Sequence, residues 1–116
     1  MTLAGKGSRR TVVDGAAYRW RLRARPTYSQ GLCWSPATYA VESADRPGAV
    51  LLVTTDQPHL SNWVGRTGRS VLPADVAAAV RQALVLGWAP ARPGAPFRLD
   101  QSRGFVPWPE APLAER

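Results

Sequence analysis

Between residues 18 and 25 the chain alternates strictly. Tyr18, Trp20 and Leu22 fall on one side, and Arg19, Arg21, Arg23 and Arg25 on the other. A period of two is the mark of a β-strand with one face buried, and large aromatic and aliphatic residues suit a pleated surface. Asp14-Gly15 just upstream is a hairpin signal, because glycine tolerates the positive φ that tight turns require. Arg10–Val13 is therefore predicted as the preceding strand. A two-residue loop would pair Val13 with Ala16; a three-residue loop with a bulge at Gly15 would pair Val12 with Ala16. The pattern leaves both open, and they turn opposite sides of the first strand toward the core.

Pro26 ends the second strand. Residues 26–36 are predicted irregular, anchored by Tyr28 and Trp34. Residues 37–44 alternate again, with Tyr39 and Val41 on one face and Thr38 and Glu42 on the other. Asp45-Arg46-Pro47-Gly48 is a turn. The apolar run 49–55, AVLLVTT, predicts the most buried strand, mid-sheet, with a helix over one face. Residues 56–70, interrupted by Pro58, Asn62, Gly65 and Gly68, hold no regular element, and connections of that length often carry function. A helix follows. Pro73 suits its first position, Asp75 complements its dipole, and Gly87 and Pro90 end it. Val76, Val80, Ala83, Leu84 and Gly87 trace one face, broadened by Ala79. Phe97–Leu99 is a short closing strand. The fold class expected is α+β: an antiparallel β-meander of about four strands with one helix packed on it and a short final strand. Residues 1–100 form one domain and residues 101–116 a proline-rich tail.

Composition adds a charge asymmetry. Of 116 residues, 15 are basic and 8 acidic, for a net charge of +7. Residues 1–25 hold seven of the basic ones (Lys6 and six arginines) against Asp14 alone. Such a local field favours anionic partners. Fourteen of the 15 basic residues are arginine in a chain rich in alanine, glycine and proline, a bias typical of GC-rich coding. The 45% apolar content excludes wholesale disorder, and no apolar run approaches the ~20 residues that span a bilayer. Residues 1–10 lack the apolar stretch of a signal peptide, so the expected location is cytoplasmic, away from membrane.

Several of these segments are similar to a family of small, uncharacterised bacterial proteins. It shares a tyrosine-x-tryptophan hairpin strand, matched by Tyr18 and Trp20. It also shares a glycine-tryptophan-x-proline helix exit followed by phenylalanine, matched by Gly87, Trp88, Pro90 and Phe97. The resemblance covers roughly residues 10–99 and implies a recurring small α+β domain, with no activity, substrate or catalytic residue attached.

Candidate chemistry centres on the arginine face. Side chains two apart on a strand repeat every ~6.6–7 Å, comparable to successive phosphates along a nucleic-acid strand. Arginine suits bidentate phosphate contacts, and a two-stranded ribbon can enter a major groove. Arg19, Arg21, Arg23 and Arg25 are thus anion-binding candidates, with Arg66 and Arg69 of the 65–70 segment (GRTGRS) as contributors. The competing reading is an ordinary solvated sheet face, with Glu42 neutralising part of the row if the third strand lies beside the second. Among five tryptophans, Trp20 and Trp88 sit at core positions. Trp34, Trp63 and Trp108 lie in irregular segments and are candidates for contact with a partner. Cys33, His59, Asn62 and Asp56 form no recognisable nucleophilic constellation, and one cysteine with one histidine falls short of a zinc site. The expectation is a non-enzymatic module, without cofactor or metal, presenting the arginine strand to a polyanion, nucleic acid first. The alternative is a small adaptor binding a protein through its tryptophan loops and its tail.

Overall fold

The computed structural model describes residues 8–23 and 25–107. Its elements are β1 (Arg9–Val13), β2 (Ala16–Leu22), α1 (Tyr28–Gly31), β3 (Thr38–Ser43), β4 (Leu51–Thr54), α2 (Pro73–Leu86) and β5 (Phe97–Asp100). They build a five-stranded sheet in the order β1-β2-β3-β4-β5. The first four strands are antiparallel neighbours, and β5 pairs with β4 in parallel. The expected antiparallel meander of about four strands is thereby corrected to a mixed sheet of five. The cause is α2. A helix between two paired strands is the crossover that a parallel pair needs.

The hairpin takes the two-residue loop. Val13 pairs with Ala16, and Asp14 and Gly15 both adopt positive φ, 50° and 85°. Two such residues in succession define the mirror-image turn whose twist matches that of paired strands. Arg81 of α2 locks this turn from above, its Nε 3.1 Å and Nη2 3.3 Å from the two oxygens of Asp14.

One face of the sheet is the core. Tyr18 and Trp20 of β2, Tyr39 and Val41 of β3, Leu51 and Val53 of β4 and Leu99 of β5 meet Val76, Ala79, Val80 and Ala83 of α2. Small residues on the helix let its backbone approach the sheet, so the bulk between them comes from the aromatics below. Trp20 contacts Tyr39 edge-on at 6.0 Å, and Tyr18 contacts Trp88 at 5.9 Å. Truncating an indole buried this deeply costs about 3–5 kcal/mol. Trp88 folds back past the helix end, its backbone N–H on Ala83 O and its indole N–H on Ala49 O. Leu84 and Gly87, expected on the buried helix face, are exposed. In the last helical turn Ala83 is buried while Val85 and Leu86 are exposed with Leu84.

The opposite face of the sheet holds the alternate residues of each strand. By register, Arg10, Arg19 and Glu42 share one row, and Arg21, Ala40, Leu52 and Arg98 the next. No described helix or strand covers its centre. Leu52 and Thr54 are half-exposed, so β4 is deeply buried on its helix side only.

Candidate anion-binding face

Arg21, Arg23 and Arg25 line one shallow depression of about 460 Å³ at the end of the outer sheet face, floored by Thr38, Ala40 and Leu52. Alternation along β2 carries Arg21 onto this face, and Arg23 and Arg25 follow just past the strand end at Leu22. Among the described residues none of the three has an ion-pair partner.

The other candidate arginines have different surroundings. Arg19 lies opposite Glu42 in register, with Nη2 3.6 Å from the fully buried carboxylate. Arg69 sits on the approach to α2, 3.7 Å from Asp75, whose other contact is the N–H of Leu72 at the helix start. Arg66 turns to the C-terminal segment: its guanidinium donates to Val106 O and stacks 5.0 Å over the Phe105 ring. Arg66 is thus engaged locally and apart from the β2 row, whereas Arg69, besides its contact with Asp75, lines with Arg23 a separate cavity of about 200 Å³ at the end of β2. Arg10 and Arg98, which the sequence reading did not single out, share the outer face; strand alternation hinted at each, but only the register places them there.

The aromatic candidates form a second feature. Tyr28, Trp34 and Trp63 are exposed at 67%, 46% and 58% and meet through Tyr28, which lies edge-on to Trp34 at 5.6 Å and to Trp63 at 6.0 Å. Tyr28 and Trp34 therefore do not anchor their segment, as expected of them. Its anchor is Gln30, buried, which donates to Pro36 O and the Thr38 hydroxyl. Residues 26–36 are also less irregular than expected. Thr27 and Gln30 form a reciprocal capping box on the single turn α1, a T-x-x-Q signal present in the sequence. Trp108 lies outside the described residues.

His59 and Asn62 build the loop that carries Trp63. His59 Nε2 lies 2.7 Å from Arg23 O, and Nδ1 accepts the Ser61 N–H at 3.0 Å. A carbonyl can only accept, so the ring hydrogen sits on Nε2 and the ring is a clamp between loop and strand end. The Asn62 amide donates to His59 O and Arg66 O and accepts from the N–H groups of Val64 and Arg66. Trp63 then donates its backbone N–H to Gly31 O at 2.7 Å, and its ring lies on Gly31, 2.4 Å from where a Cβ would stand. Cys33 is fully buried, and burial pushes its thiol pKa up. Among the described residues no three His, Cys, Asp or Glu side chains group as metal ligands, and no helix is long and apolar enough to cross a membrane.

No family model, curated protein or solved structure matches this chain. The resemblance carried by Tyr18, Trp20, Gly87, Trp88, Pro90 and Phe97 therefore rests on those short motifs alone.

Proposed function

We propose that this protein is a non-enzymatic binding module whose outer sheet face takes a polyanion, nucleic acid being the chemistry it suits best. The observation that carries this reading is the depression rimmed by Arg21, Arg23 and Arg25, with no acidic partner to any of them among the described residues. Guanidinium groups left unpaired on one surface offer forked donors to successive phosphates. Arg98 extends the same basic row across the sheet.

Binding of a labelled oligonucleotide across a salt series tests the reading. Each phosphate neutralised releases counterions, so affinity falls steeply as salt rises. Replacing Arg21, Arg23 and Arg25 together with glutamine should weaken binding and flatten that slope by about two units if three phosphates of a single strand are contacted. Unchanged affinity and slope in the folded triple variant would remove the proposal.

A further inference from the structure

We infer that the polyanion is single-stranded nucleic acid, held by Arg21, Arg23 and Arg25 on its phosphates and by Tyr28, Trp34 and Trp63 on its unpaired bases. The inference rests on the polyanion reading above and adds a substrate class to it. Its basis is that the two loops carrying the rings are both tied to the arginine end of the sheet. His59, four residues before Trp63, hydrogen-bonds the carbonyl of Arg23. Gln30, two residues after Tyr28, hydrogen-bonds Thr38, which floors the arginine depression. Arg25 itself precedes Tyr28 by three residues.

The rings are also held in place. Trp63 is set by its backbone bond to Gly31 and by the Asn62 hub, and Tyr28 sits on the capped turn α1 between Trp34 and Trp63. Exposed aromatic rings on loops fastened to the end of a row of cations supply the pairing that single-strand binders use, since every base has a face to stack and every linkage a charge. In a duplex those base faces are hidden. A duplex is disfavoured by the sheet as well. A two-stranded ribbon fits a major groove ~12 Å wide, but β2 is flanked by β1 and β3 inside a five-stranded sheet, too broad to enter.

The test titrates the full chain, by tryptophan emission, with a 20-nucleotide oligothymidylate and with a 20-base-pair mixed-sequence duplex. The expected result is quenching by the single strand and at least tenfold tighter binding of it than of the duplex. Tyr28→Ala and Trp34→Ala, both at exposed rings, should each weaken oligothymidylate binding about tenfold and leave duplex binding nearly unchanged. Trp63→Phe, which keeps a ring over Gly31, should retain most of the affinity. Equal or tighter binding of the duplex, or ring variants that bind oligothymidylate as the parent does, would overturn the single-strand assignment while leaving a salt-dependent polyanion reading standing. Ring variants that bind normally but lose self-association or a protein contact would overturn it too, assigning the rings to protein. Failure to bind either nucleic acid would bring down the polyanion reading itself.

Discussion

Arg19 and Glu42 face each other across β2 and β3, the guanidinium 3.6 Å from a carboxylate with no exposed surface. A buried carboxylate needs a nearby cation, because its desolvation is otherwise uncompensated. Arg19 thus serves the sheet, whereas Arg21, two residues on, faces Ala40 and has no such partner among the described residues.

This separates the arginines by experiment. Arg19→Gln should lower stability by about 1–3 kcal/mol, the cost of weakening compensation for a buried charge. Its salt slope for nucleic acid should stay at the parental value, while Arg21→Gln does the opposite. Adding Glu42→Gln to Arg19→Gln should recover part of the loss, since the buried charge is then gone. Urea unfolding of the four proteins measures the coupling, and strict additivity would count against the pair.

Gly31 is the second handle. A Cβ there would stand 2.4 Å from the Trp63 indole, on a backbone that also accepts the Trp63 N–H. Either the ring swings away or the turn shifts, and overpacking of this kind costs about 1–3 kcal/mol. Gly31→Ala should change tryptophan emission and weaken oligothymidylate binding with the arginine depression intact. A variant matching the parent in emission and melting temperature would show that Trp63 does not rest on Gly31.

Which of these features could be read along the chain follows from how local each one is. The β1–β2 hairpin was legible because its turn residues and its alternation lie within one short stretch. The Arg19–Glu42 pairing was legible as an option, since alternation placed Glu42 on the outer side of β3. The parallel β4–β5 pair was not recognised, although the intervening helix was itself the clue. Arg98 joined the arginine row only through the register of β4 with β5, which no local pattern sets. The aromatic cluster was the least accessible. Trp34 and Trp63 were expected at the surface one by one, but Tyr28 and Trp34 come from one loop and Trp63 from another, and their meeting depends on Gln30 and His59 fastening both loops to the sheet.

Cys33 supplies a probe of opening. The thiol is fully buried and its pKa is raised by that burial, and the thiolate is the reactive form. It should resist a disulfide reagent in the native protein at neutral pH and react at once in denaturant. The rate in intermediate urea then reports how often the loop around α1 opens. Rapid reaction under native conditions would mean that Cys33 is accessible.

The same physics predicts loss of stability in alkali. Cys33, Tyr18 and Tyr39 all have raised pKa values, each chiefly through burial, with Asp14 adding to the effect at Tyr18 and Asp75 at Tyr39. Among the described residues the Tyr39 hydroxyl has no hydrogen-bond partner to stabilise an anion. The folded protein therefore keeps protons that the unfolded chain releases. Their contribution is complete below the ordinary thiol and phenol values of 9.0 and 10.0 and declines as pH rises above them. Asp14 and Asp100 act in the opposite sense. Arg81 lowers the first and Ser102 the second, so their contribution holds above the ordinary carboxylate value of 3.8 and fades in acid. Both carboxylates are exposed, so the acid side should be shallow and the alkaline side steep. Urea midpoints between pH 7 and 11 measure this. Tyr39→Phe should flatten the alkaline fall, since it removes an ionisable group without changing the ring. A fall equally steep in that variant would place the sensitivity elsewhere.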